Sequence, residues 1–231
     1  MKIFLVSAVI VAATLNAQTS FNAGDLAIIG VNSDNPDTLA FVVFTDVEAN
    51  TTVNFTDNGW ENSGSFRGGE GVFTYEFQSA ASAGTIFSMN TTGMALAASG
   101  DQILAYQGDF DTPSFIYGLH TYGYVWDSDA TNTNESALPT GLIDGTSAVA
   151  IGSGPAGSEV DTGIFDTSVL ISGTVEEWLT AIGDSSNWTT SNTPLDMPSG
   201  SLALNAVPEP AAFAFAVGVF ALIYVARWRS S

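Results

Sequence analysis

The stretch that decides the fold is Leu26-Ala27-Ile28-Ile29-Gly30-Val31, then Asn32-Ser33-Asp34-Asn35-Pro36-Asp37, then Leu39-Ala40-Phe41-Val42-Val43-Phe44. Two short apolar runs, rich in β-branched and aromatic residues, flank a segment whose Asn, Asp, Ser and Pro favour a turn. Such runs read as strands. The same alternation continues along the chain and predicts strands at 26–31, 39–47, 52–56, 72–77, 85–89, 102–107, 115–120, 148–151 and 202–205. Asp57-Asn58-Gly59, directly after one of these runs, reads as a hairpin-type turn because Asn and Gly accept positive φ. The fold class is therefore all-β, a β-sandwich with one short helix. That helix is marked by Thr174 and Glu177, a capping-box pair, followed by Val175, Trp178, Leu179 and Ile182 at helical spacing and Gly183 as the stop.

The chain has 231 residues, 45% of them hydrophobic, with 15 Phe, which argues against disorder. Its formal net charge is −20. Of the 24 acidic residues, 23 lie between Gln18 and Val207, where Arg67 is the only Lys or Arg. Such a field repels phosphate backbones, so nucleic acid is excluded as a partner. It also implies self-repulsion that salt or bound cations relieve. With no cysteine, disulfides and thiolate chemistry are excluded.

Both ends carry address signals. Residues 1–17 read as a signal peptide: Lys2 is the positive start, residues 3–13 (IFLVSAVIVAA) are the apolar run, and cleavage follows Ala17 or Ala13. At the far end, Val207-Pro208-Glu209-Pro210 precedes an apolar run at 211–226 (AAFAFAVGVFALIYVA) and then Arg227-Trp228-Arg229. The prolines block helix propagation ahead of the run. Its 16 residues span about 24 Å as a helix, short of a hydrocarbon core of about 30 Å, and Trp228 and the arginines extend it to the interface. A single transmembrane helix with its arginine end cytoplasmic is predicted, leaving residues 18–206 outside as an acidic passenger domain.

The three-part arrangement over 207–231 resembles the PEP-CTERM sorting signal of Gram-negative bacteria. The resemblance implies export, handling by an exosortase-type membrane transpeptidase at Val207, Pro208, Glu209, Pro210, Arg227 and Arg229, and a cell-envelope or extracellular-matrix destination among exopolysaccharide. Residues 24–37, Phe55-Thr56-Asp57-Asn58-Gly59-Trp60 and Asn187-Trp188 together resemble a β-sandwich module of secreted bacterial proteins, similar to lamin-tail and immunoglobulin-like domains. No catalytic residues travel with that resemblance.

Other patterns in the sequence have plainer explanations. Gly152-Ser153-Gly154-Pro155-Ala156-Gly157 spells GxGxxG, but no helix signal follows, so it reads as a loop. His120, the only histidine, has no serine elbow to serve and reads as a packed residue beside Tyr122 and Tyr124. Asp127, Asp129 and Glu135 sit at spacings that offer oxygen ligands to calcium, although the EF-hand layout is absent and a solvated acidic loop is the plainer reading. Asn32, Asp34, Asn35 and Asp37, and separately Asp109 and Asp111, form weaker clusters of the same kind. The aromatic run 116–126, ending in Trp126, reads as core-filling with a sugar-stacking platform as the alternative. Sequons at Asn50, Asn54, Asn90, Asn134 and Asn187 reflect composition. The expectation is a non-enzymatic structural or adhesive protein. The alternative is a secreted carbohydrate-binding module or a glycoside hydrolase using paired carboxylates.

Overall fold

The first apolar run is enclosed along its whole length, from Leu26 to Asn32, because both faces of that strand are covered. One face joins the core between two sheets. On the other side Gly30 leaves room for Met197 and Pro198, where a Cβ would lie 2.9 Å from the Met197 sulfur. In this computed structural model residues 17–205 are described. The predicted export signal, except Ala17, and the predicted sorting signal with its helix lie outside the described residues. Among those described, no helix is long and apolar enough to cross a membrane.

The strands are β1 (Leu26–Asn32), β2 (Thr38–Val43), β3 (Thr52–Thr56), β4 (Trp60–Glu61), β5 (Ser65–Phe66), β6 (Val72–Glu76), β7 (Ile86–Asn90), β8 (Gln102–Asp109), β9 (Thr112–His120), β10 (Ala148–Ala150), β11 (Thr162–Phe165) and β12 (Trp188–Ser191), with one helix, α1 (Val175–Gly183). They form a five-stranded sheet in the order β12-β11-β1-β2-β7, a second in the order β10-β9-β8-β3-β6, and the small β4-β5 ribbon. Pairing is antiparallel except β10 against β9. The mostly β architecture with one short helix matches expectation.

The sheets share a core in which aromatic rings bridge the layers. Phe41 of β2 lies 5.2 Å from Phe55 of β3 and 5.2 Å from Phe87 of β7. Phe77 and Tyr75 close the same cluster at 5.0 Å. Edge-to-face and offset rings of this kind add to the burial of their large area. Helix α1 has the complete capping box, Thr174 Oγ1 accepting from Glu177 N–H and Glu177 Oε2 accepting from Thr174 N–H. Trp178 and Ile182 are buried, and the Trp178 indole donates to the Ala203 carbonyl.

Several expectations need correction. Asp57-Asn58-Gly59 is no tight hairpin: β3 pairs with β6, and the β4-β5 ribbon lies between them in sequence. Asn58 and Gly59 have no positive φ. Gly59 is required because a Cβ there would lie 2.2 Å from the Glu135 carbonyl. Gly183 likewise ends the helix without a left-handed cap; a Cβ would meet the Gly145 carbonyl at 2.1 Å. The predicted strand at 202–205 is reduced to isolated bridges at Ser201 and Leu204. Strands β11 and β12 were not anticipated. Thr162-Gly163-Ile164-Phe165 is short and interrupted by Gly163, whose missing side chain admits Ile151.

Candidate functional site

Chemistry-bearing side chains gather on the outer face of the second sheet and at the loop end beside it. On that face the register sets Gln102 opposite His120, and Leu104 opposite Gly118. Gly118 leaves a gap that the Trp126 indole fills, since a Cβ there would lie 2.9 Å from the ring. Trp60 and Phe66 of the ribbon cover Leu104 and Tyr106, with Phe115 packed beside them, as a small second core. The segment after Trp126 then folds over the sheet. Trp60 N–H donates to Ser136 Oγ at 2.9 Å, and Ala137 N–H to the Trp60 carbonyl at 2.9 Å.

His120 is fully buried beneath this cover. Its ring stacks on Trp126 at 5.2 Å, and Nε2 stands 3.2 Å from Asp127 Oδ2 without hydrogen-bond alignment. The plainer reading of His120, a packed residue, is the one the structure shows. Trp126 is also committed: one face lies on His120 and its N–H reaches Asp144 Oδ1 at 3.3 Å. It is not an open stacking platform.

The three carboxylates considered for calcium point to separate donors. Asp127 accepts from Ser136 N–H, Asp129 Oδ1 from Asn62 and Ala130 N–H, and Glu135 from the backbone and hydroxyl of Thr131. Among the described residues no group of three or more His, Cys, Asp or Glu is placed to hold a metal ion. The weaker clusters disperse too. Asn32 folds onto Asp34 and Pro36 carbonyls, Asp37 turns to Leu96, and Asp109 and Asp111 are exposed at the β8–β9 turn. Residues 152–157 form a loop, as expected.

A different set of acids is buried together, and sequence reasoning missed it. Three consecutive amides in the β7–β8 connection each donate to a different carboxylate. Ala95 N–H binds Asp57 Oδ2 at 2.9 Å, Leu96 N–H binds Asp37 Oδ2 at 2.8 Å, and Ala97 N–H binds Asp101 Oδ2 at 2.9 Å. Asp57 also accepts from Gly71 N–H at 2.6 Å, and Asn58 ties Thr56, Glu70 and Gly71 into the same knot. Buried amides of irregular backbone need acceptors, and charged acceptors make the stronger bonds.

The electrostatic cost is visible in the same groups. Burial, then the Asp57 charge, raises Glu70 to about 7 against the opposing pull of Arg67. Burial likewise pushes Asp37 up and Asp101 well up, with Asp57 and Glu70 adding repulsion at Asp101. Elsewhere Gln18, Thr19, Ser20, Thr52, Asn54, Gln107 and Asp109 line a polar groove of about 480 Å³. Gln107 is fully used there, donating to the Thr19 and Thr52 carbonyls and accepting from Phe21 N–H. Comparison of the chain with protein-family models, curated proteins and solved structures finds no match in any of the three.

Proposed function

We propose that this chain is an exported, non-enzymatic structural or adhesive protein of the cell envelope or its surrounding polysaccharide, sorted through a PEP-CTERM signal at 207–231. The observation that carries the reading is the three-part tail: Val207-Pro208-Glu209-Pro210, an apolar run too short to span a bilayer comfortably, and Arg227 and Arg229 at the end. The buried chemistry of the passenger supports it. His120 is enclosed, and the buried carboxylates are occupied in holding loops, which suits a structural surface domain better than a catalyst. An exosortase-type transpeptidase is the partner this reading requires. Deleting residues 207–231 should move the protein from the envelope fraction to the medium or periplasm of its host, and unchanged fractionation would refute the sorting claim.

A second reading, polysaccharide binding, draws on the polar groove. Its amides, hydroxyls and the Asp109 carboxylate match the hydrogen-bonding surface of a sugar. Binding on a glycan array that is lost on Asn54→Ala would favour it, whereas loss on Trp126→Ala with the groove intact would point elsewhere.

A further inference from the structure

We propose that the loop at 168–172 is a membrane-contact tip, with Ile171 and Val169 seated in the headgroup boundary of the bilayer that holds the C-terminal anchor. Resting on the anchored tail proposed above, this contact fixes which side of the domain faces lipid. Ile171 is 97% exposed, more than any other large apolar side chain among the described residues. Val169 is partly exposed beside it, while Leu170 between them packs on the core. The loop is pinned at both ends. Asp166 N–H donates to the Asn187 carbonyl at 2.9 Å, and the Asp166 carboxylate accepts from Ser168 N–H and Oγ. At the other end Gly173 N–H donates to the Ala203 carbonyl at 3.1 Å. The isoleucine is thus displayed at a fixed place, and leaving it in water forgoes the gain that burial would bring.

The point where the chain leaves the domain identifies the cover. Asn205, the last described residue, donates its N–H to the Gly173 carbonyl at 2.8 Å, so the exit lies beside this loop. Residues 206–210 then separate it from the apolar run at 211–226. Fully extended, those residues reach at most about 18 Å. A domain of this length is roughly 40 Å across. A bilayer holding the run is therefore within reach of the Gly173 side and out of reach of the opposite end of the sheets. The charge pattern agrees. Residues 167–175 and 197–208 contain no Asp, Glu, Lys or Arg, so loop and exit segment meet as an uncharged seam on a chain of net charge −20. Nearby Glu177 is engaged in the cap of α1, and Glu176 is exposed on its flank. A second copy on this seam would bring a like-charged body against the first, which like-charge repulsion disfavours. Lipid meets the loop through apolar contact without that penalty, provided its headgroups are zwitterionic.

Because the chain has no cysteine, one introduced thiol carries a fluorophore at a chosen place. Full-length protein in phosphatidylcholine vesicles is labelled at Ile171→Cys, and separately at Asn192→Cys, which is exposed and follows β12 at the end away from this loop. Spin-labelled lipid should quench the first probe several-fold more than the second, and aqueous iodide should do the reverse. With the probe at Ser172→Cys, adding Ile171→Asp should weaken the loop–bilayer equilibrium roughly tenfold or more, with lipid quenching falling accordingly. Co-flotation with the vesicles reports the anchor separately. Protein that floats while its Ile171→Cys probe stays open to iodide overturns the proposal and leaves the anchored tail standing. Protein that does not float overturns both. A probe hidden from both quenchers means that a second copy or the tail itself covers the loop, and removes the bilayer as occupant. Lipid quenching at Ser172→Cys that ignores Ile171→Asp overturns the proposal as well.

Discussion

Replacing Glu70 by Gln should make the protein more stable at pH 8 and leave it nearly unchanged at pH 5. Glu70 is raised from 4.5 to about 7, chiefly by burial and secondly by the Asp57 charge. A carboxyl whose folded value is raised contributes stability below its unfolded value, near 4.5. That contribution is lost as pH rises through about 7. At about 1.4 kcal/mol per pH unit the difference approaches ~3 kcal/mol. The side chain is only half-buried, so screening by water reduces this to about 1–2 kcal/mol. Gln keeps an acceptor for the Gly59 N–H that Glu70 engages, and it removes the charge. The substitution also relieves Asp101, which Glu70 repels, and that effect has the same sign. Urea unfolding in EDTA at constant ionic strength, at pH 5, 6.5 and 8, measures it. Wild type should lose more stability than Glu70→Gln across that range, by about 1–2 kcal/mol. Parallel pH dependences for the two proteins would refute the assignment of a raised Glu70 to a buried, like-charged setting.

Two other substitutions probe the packing. Gly118→Val drives a side chain into the space of the Trp126 ring and should cost about 1–3 kcal/mol, with tryptophan emission shifting to the red as the indole is expelled. An unshifted emission would mean that Trp126 is not seated over Gly118. Phe41→Ala removes the ring that joins Phe55 and Phe87 across the sheets and should cost about 3–5 kcal/mol in urea unfolding. A loss under about 1 kcal/mol would show that the two sheets do not depend on this cluster.

Much of the scaffold was legible in the sequence because its signals are local. The apolar runs of β1, β2, β3, β8 and β9 carry their own turn residues at each end, and Thr174 with Glu177 specifies a cap within four residues. What escaped depends on partners distant in the chain. Gly59 and Gly118 look like turn or strand-weakening residues until Glu135 and Trp126 arrive against them. Neither β11 nor β12 has a strong period of its own, and each is held by the neighbour it pairs with. The acids and amides at 127–135 read as metal ligands in sequence, yet those side chains accept from the loop itself and from Asn62 of the β4-β5 ribbon.

The acids show most clearly why composition misleads. A net charge of −20 suggests a solvated shell, but Asp37, Asp57 and Asp101 are 8%, 2% and 3% exposed. They are buried because residues 95–97 form no sheet pairing, so three successive amides must find acceptors elsewhere. Carboxylates make strong acceptors, and placing three of them together satisfies the amides while setting the charges against one another. The fold therefore gains a well-anchored connection at the cost of stored repulsion beside Gln102 and Glu70. Protons relieve that repulsion as pH falls through about 7, where Glu70 takes one up. The pH of the solution thus acts on the interior of the domain as well as on its surface, through the same connection that joins one sheet to the other.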